Sequence, residues 1–543
     1  MSEILKKNKF FLAALTISII LAGMTFGNIP GPATQTGVQT VNGTTFNFAD
    51  YDSVDHEMLA LFNYLDTIVN DEYQGYGEWN GWYAEEQHGL HHYVLAFMAY
   101  SVSFLFEITS GYRTSHYRDF LYDLIKKMNT TEAEWGNNSI EYKEWSHPEY
   151  NYVNYYWPNQ TDTSDLYVGR FRGPANIMWT AHYALMMSLY ERSFNTNEMT
   201  DEITHYILDW NNSLTTDGFG HPAEGGIWGT GIIPCEPYVV FVQCNSVPMV
   251  CTKLYDGLYG TSFLPIWDYG LNFVNNDMVN TEGFFADGYY LYEPTGFYYA
   301  SERLPQAYPG LALSPWTENP TPKIAGYGNA WALAFLESLQ PEQTAETYPR
   351  FIEYFMKNLS DDKAFIMDSY NNPDGFATYD ILATLFALHI ANQQKDYVTR
   401  NRLANFFFNS YNKVWSANGR EMHFDTLSLD GFLQSIAGFG YLWGNLPVTI
   451  KDVTEARAAE FWNYPYISAA DDRNIWVYQA QWDSEKDGFI LNIQVDQAAS
   501  LTFSNFASQP TAYSRGSVLA ALQQSGSDYT LTLQPGIYQL VIM

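Results

Sequence analysis

Cysteine and positive charge are what this sequence has least of. Its 543 residues include three cysteines, far too few for a fold held together by disulfides. Lys and Arg total 27 against 60 Asp and Glu, a net charge of −33 at pH 7. Nucleic-acid binding draws on basic surface that releases counterions, and that surface is lacking. The same deficit argues against docking on an anionic membrane surface. No P-loop and no dinucleotide-type glycine motif follows a strand pattern. Aspartate-rich DDxxD and DxDD runs are absent too, since Asp361-Asp362 and Asp471-Asp472 stop short of both. Beyond the N-terminal segment, no run is long and apolar enough to span a membrane.

What is abundant is apolar and aromatic. Hydrophobic residues make up 46% of the chain and charged ones 16%, the opposite of a disordered composition. Aromatics reach 17%, with 43 Tyr and 16 Trp, enough to fill a large core and line a concave site. Lys6, Lys7 and Lys9 precede an apolar run from Phe10 to Phe26, the pattern of a signal peptide or a single membrane anchor over 1–27. Either one places the rest of the chain outside the cytoplasm. Residues 28–50 are rich in Gly, Pro, Thr and Asn and read as a linker. Helical periodicity runs from there to about 446, as in Met58-Leu59-Leu61-Phe62-Leu65 and Ile177-Met178-Ala181-Leu185-Met186-Leu189. Paired helices with glycine–aromatic turns, such as Gly375-Phe376 and Gly438-Phe439, predict an (α/α) barrel, a toroid of helical hairpins, over 51–446. After Leu446 the texture becomes β, with Phe489-Ile490-Leu491 and Tyr538-Gln539-Leu540-Val541-Ile542 among the runs. Residues 447–543 read as a linker and a small appended β-sandwich.

Candidate chemistry centres on Cys235 and Cys244, nine residues apart and beside Glu236 and Gln243. A loop of this size closes readily, so a disulfide and a pair of thiols are both open on spacing alone. Cys251 reads as packing. Met178 and His182 are four apart on one helix and face the same way. Asp66 lies within an apolar helical run, with Tyr73 following it; exposure at the helix edge is the simpler explanation, and a buried carboxylate there would need a partner or a function. His88, His91 and His92 lack well-spaced ligand partners, which leaves a metal site unsupported.

The ordered combination of Asn176-Ile177-Met178 with His182, Cys235-Glu236-Pro237 with Phe241-Val242-Gln243-Cys244-Asn245-Ser246-Val247, and Leu254-Tyr255-Asp256 resembles the linalool dehydratase/isomerase family. So do Ala330-Trp331-Ala332-Leu333-Ala334, Tyr348-Pro349-Arg350-Phe351 and Ala437-Gly438-Phe439-Gly440, over roughly residues 55–445. The resemblance implies an (α/α) barrel assembled into a homo-oligomeric ring, and no metal or organic cofactor. It implies catalytic roles for Cys235, Cys244 and His182, and for Asp66 and Tyr73 contributed by a neighbouring subunit. Met178, Tyr93, Phe241, Tyr292 and Glu236 are then expected to contact substrate. The implied reaction interconverts tertiary and primary allylic alcohols and removes water to give a diene. This chain departs from the family in lacking its N-terminal disulfide, in a longer Asp66-to-Tyr73 gap, and in the β extension.

Two rival readings remain at this level. An (α/α) toroid with an aromatic cleft and a β-sandwich also suits an exported glycoside hydrolase or polysaccharide lyase, with Asp66 and Glu236 as paired carboxylates. A non-catalytic exported binding protein would keep the pocket and tolerate loss of both cysteines.

Overall fold

Helices in this chain fall into two classes by how much of their circumference is apolar. Residues Ile177 to Ser193 of one helix are buried without a break, whereas another, Pro341–Phe355, buries Thr344, Thr347, Tyr348, Phe351 and Phe355 at three- and four-residue spacing. A helix buried all round belongs inside a layer, and one with a single apolar stripe belongs outside it. The computed structural model describes residues 37–69, 91–129, 177–217, 220–235, 239–280, 283–286, 288–290, 324–367, 378–409, 411–425 and 440–543. The N-terminal lysines and apolar run lie outside these. Among the described residues, no helix is long and apolar enough to cross a membrane.

The helices are α1 (His56–Val69), α2 (His91–Ile108), α3 (Ser115–Met128), α4 (Ile177–Phe194), α5 (Thr200–Thr215), α6 (Val242–Tyr259), α7 (Asp268–Asp277), α8 (Gly326–Leu336), α9 (Pro341–Phe355), α10 (Thr378–Gln393) and α11 (Tyr397–Phe408). Helical residues 440–445 follow. An inner ring runs α2, α4, α6, α8, α10, each packed on the next. Residues 440–445 extend it, with Gly440 and Gly444 against Leu385 and Leu388 of α10. A Cβ at Gly444 would lie 2.1 Å from the Leu388 side chain, so only glycine permits this approach. Trp443 then closes the ring on Phe104 of α2, with centroids 5.6 Å apart. Helices α3, α5, α9 and α11 pack outside their inner partners. The fold is an (α/α) barrel with an appended β region.

That region is a sandwich of antiparallel sheets. Its strands are Tyr466–Ala470, Ile475–Asp483, Gly488–Val495, Ala499–Ser504, Thr511–Ser514, Ser517–Ala521, Gln523–Ser525, Asp528–Leu533 and Gly536–Ile542, numbered β1 to β9. The orders are β2-β3-β9-β5-β6 and β7-β8-β4-β1. Phe489 and Phe503 meet between the sheets at 5.7 Å. Strand β2 is buried continuously from Ile475 to Ala480, while β6, at the other edge of its sheet, is largely exposed.

The sandwich is fastened to the barrel through the α2–α3 turn. Gly111 N–H donates to the Ala480 carbonyl at 2.7 Å, and Ile467 N–H donates to Gly111 at 2.7 Å. A buried ion cluster reinforces the seam: Arg192 and Arg457 each donate to Glu107 at 2.8 Å. Burial alone would raise the Glu107 carboxyl, but the two guanidiniums hold it below its usual range.

Residues 38–47, within the stretch read above as linker, form a hairpin of Val38–Val41 and Thr44–Asn47. Phe46 and Val41 pack with Ile490 and Val541 of the sandwich, and Gln39 donates to the Gln539 carbonyl at 2.9 Å. Its turn is Asn42-Gly43, both at positive φ, the preferred chemistry for a tight hairpin.

Candidate functional site

Cysteine placement depends on how the chain enters two adjacent inner helices. Pro234 accepts a hydrogen bond from Ile177 N–H at 3.1 Å, which sets Cys235 at the N-terminal end of α4. Asn245, in the opening turns of α6, then clamps the same strand. Its side chain accepts from Ile233 N–H at 2.8 Å and donates to the Ile233 and Phe241 carbonyls, both at 2.9 Å. Phe241 caps α6 and Cys244 lies in its first turn. Cys235 is therefore strapped across the N-termini of the two helices, close to the turn that carries Cys244. Asn329, at the corresponding place on α8, repeats the device, accepting from Phe285 N–H at 2.7 Å and donating to its carbonyl at 2.9 Å.

All three cysteines are buried thiols, and none is in a disulfide. That settles the alternative left open by spacing. Cys251 packs against Ser188 of α4, with Sγ and Oγ 3.5 Å apart, and burial pushes its thiol up to about 12. Cys244 stands two helical turns before Cys251 and so lies on the stripe of α6 that faces α4. At that level of α4 stand Met178 and His182.

Around His182 the barrel interior is aromatic. Tyr93 and Phe97 meet its ring edge-on at 5.3 and 5.9 Å, and Trp331 of α8 lies tilted against it at 5.5 Å. Phe386 of α10 stacks on Trp331 at 5.1 Å. The Tyr93 hydroxyl reaches Met178 Sδ at 3.6 Å. His182 Nδ1 lies 2.6 Å from the Tyr100 hydroxyl. Burial drives the His182 pKa down to about 3, so the imidazole is neutral. Burial, followed by the proximity of Cys251, raises Tyr100 well above its usual value.

Among the described residues the buried Trp331 indole N–H has no hydrogen-bond partner, which leaves it a donor available to a ligand oxygen. Gln243, 4% exposed, lies nearby with its carboxamide 3.5 Å from where a Cβ would stand at Gly328. Among the described residues, no group of His, Cys, Asp or Glu side chains is arranged to hold a metal ion.

The structure thus gathers Met178, His182 and Tyr93 in direct contact, with Cys235, Phe241 and Cys244 at the same end of the barrel. Asp66 is elsewhere within the chain. It lies on α1, which packs against α3 and β2, with Oδ2 3.9 Å from His116 Nδ1, and its charge acts on Asp472. Tyr73, Tyr292 and Glu236 lie outside the described residues, as do His88 and the side chains of His91 and His92. The residues that sequence reasoning missed are Tyr100, Phe97 and Phe386. Helical spacing places Phe97 and Tyr100 four and seven residues after Tyr93, on one face, which is the signal that could have found them.

Several solved structures are similar to this chain at low identity. A family 105 glycoside hydrolase from C. acetobutylicum has a TM-score of 0.40 and 10% identity, covering 73% of this chain and 99% of that one. An unsaturated glucuronyl hydrolase from Bacillus sp. GL1 has a TM-score of 0.39 and 8% identity, covering 64% and 83%. A GH127 β-L-arabinofuranosidase from Geobacillus stearothermophilus T6 has a TM-score of 0.35 and 11% identity, covering 90% and 76%. Residues 228–319, the stretch that carries Cys235, the Asn245 clamp and Cys244, match the model of the linalool dehydratase/isomerase family, the same family that the sequence resembles.

Proposed function

We propose that this chain is a dehydratase/isomerase of a small apolar allylic alcohol and works by acid–base chemistry on Cys235 and Cys244. The observation that carries the reading is the pair of buried thiols fixed at the N-termini of α4 and α6, beside an aromatic enclosure. One thiol gives its proton to the substrate hydroxyl as the C–O bond breaks, releasing water and leaving an allylic cation. The thiolate so formed takes the S–H proton of the second cysteine as that cysteine receives a proton from carbon. Both sulfurs end protonated, and the net change is loss of one water to give a diene. In the isomerisation branch, water adds at the far allylic carbon and the first thiolate recovers its proton from that water. The ring faces of Tyr93, Phe97, Trp331 and Phe386 stabilise the cation by about 0.5–2 kcal/mol each.

The reading includes an oligomeric ring in which Asp66 and Tyr73 reach the site of a neighbouring subunit, as the family resemblance implies. It also places the enzyme outside the cytoplasm, on the strength of the N-terminal lysines and apolar run. Burial of Cys235 and Cys244 (0% and 4% exposed) then limits their oxidation.

The test is anaerobic incubation of the protein with linalool, geraniol and shorter allylic alcohols, with products followed by gas chromatography. Diene or isomer formation is expected, and is expected to be lost in folded Cys235→Ala and Cys244→Ala. Turnover that survives both substitutions refutes the thiol mechanism. Absence of turnover on the whole alcohol series refutes the substrate class.

A further inference from the structure

We infer that Tyr100 is a positioning residue that holds His182 as its Nε2–H tautomer, making His182 a hydrogen-bond donor in the site and not a proton acceptor. The tautomer follows from hydrogen-bond accounting. Tyr100 Oη and His182 Nδ1 are 2.6 Å apart, and both side chains are buried. If Nδ1 carried the imidazole proton and gave it to Tyr100, the phenol would need an acceptor for its own proton. Among the described residues the Tyr100 hydroxyl has no other partner. A buried hydroxyl left unpaired costs about 1–3 kcal/mol, which favours the arrangement in which Tyr100 donates to Nδ1 and a substrate oxygen in the site accepts from Nε2–H. Burial favours neutral phenol and neutral imidazole alike, so the proton stays on the tyrosine. A neutral imidazole with Nδ1 accepting carries its hydrogen on Nε2.

The surroundings then fix the ring. Tyr93 and Phe97 meet it at interplanar angles of 87° and 86°, and Trp331 closes on it from α8. A half-turn that exchanged the two nitrogens would have to displace these rings, and close packing resists that. Tyr100 is held in turn by Phe97 and Phe335, at 6.1 and 6.0 Å.

The consequence deepens the function proposed above and rests on it. A donor at Nε2 polarises the oxygen of a departing hydroxyl, or steadies the water it becomes, but cannot accept the proton that carbon loses. Proton removal is left to the cysteines, and His182 serves the C–O bond.

The tautomer can be read without activity, by nitrogen-15 NMR of histidine-labelled full-length protein, with the His182 signals assigned through His182→Gln. The expected result is an Nε2-protonated His182 in the wild type and a shift toward the Nδ1-protonated form in Tyr100→Phe. An Nδ1-protonated His182 in the wild type overturns the inference even if Tyr100→Phe does not fold. Kinetics supply the second readout. Tyr100→Phe is expected to lower kcat about tenfold or more with KM nearly unchanged, as for loss of a contact made in the transition state. Unchanged kcat and tautomer in that variant overturn the role of Tyr100. Failure of the alcohol reading would appear instead as an inactive wild type with the expected tautomer.

Discussion

Replacing Asn245 with Ala should loosen Cys235 selectively, and the structure indicates by how much. The side chain makes three buried hydrogen bonds, to Ile233 N–H and to the Ile233 and Phe241 carbonyls. Phe241 keeps a bond from the Asn245 backbone N–H at 3.2 Å, so the groups stranded by the substitution are the two on Ile233. Each buried orphan costs about 1–3 kcal/mol, giving about 2–6 kcal/mol localised two residues from Cys235. Even about 3 kcal/mol raises the local opening equilibrium about 100-fold. Thiol labelling under native, anaerobic conditions, resolved by peptide, reads that opening directly. Cys235 is expected to react about 100-fold faster in Asn245→Ala, with Cys251 unchanged. Asn329→Ala is the control: it removes the same set of bonds at Phe285 and should leave Cys235 protected. A Cys235 rate in Asn245→Ala within about threefold of wild type would refute the clamp. Equal acceleration in Asn329→Ala would show general loosening in place of a local strap.

Two further predictions concern the seam between barrel and sandwich. Burial, then the charge of Asp66, raises Asp472 to about 7, while Tyr112 and Thr114 donate to its Oδ1. Its folded pKa exceeds the unfolded one, so the stability it contributes is complete below about pH 4 and is lost as pH rises through about 7. Asp472→Asn should therefore gain in melting temperature relative to wild type between pH 5 and pH 8, and a pH-independent difference would contradict the shift. In the ion cluster, Glu107→Ala should be more damaging than Arg457→Ala. It leaves the Arg192 and Arg457 guanidiniums without their shared partner, and breaking such a buried pair costs about 3–5 kcal/mol. Urea denaturation of both variants decides the order.

How much of this was legible beforehand varies with the range of the interaction. Met178 and His182 share a helix face by spacing alone, and the structure places them together. The division into helical barrel and β region follows from hydrophobic period, because a period of 3.6 or 2 is written locally. Tyr100 was not legible as a partner of His182, since their pairing joins α2 to α4 across 82 residues. Asn245 stood in the quoted motif without a role, because nothing local distinguishes a clamp from a helical asparagine. Cys251 reads correctly as packing. The hairpin at 38–47 was hidden by its composition, although Asn42-Gly43 between alternating residues is itself a turn signal. Asp66 is expected at a neighbouring subunit's site by resemblance alone, and within one chain it lies near His116, with its charge raising Asp472.

Strand β9, Gly536–Ile542, is the last described strand to leave the ribosome, yet it lies in the middle of its sheet, between β3 and β5. Until it is synthesised, β3 and β5 have no common neighbour. The early hairpin at 38–47 also lacks the Val541 and Gln539 contacts on which it rests. The earliest described strands must therefore wait for the latest, and the sandwich closes only once all of its described strands are available. Cutting away β9 would remove a central plank and not an edge. Loss of those few residues should unfold the sandwich and release the turn between α2 and α3 that leans on it.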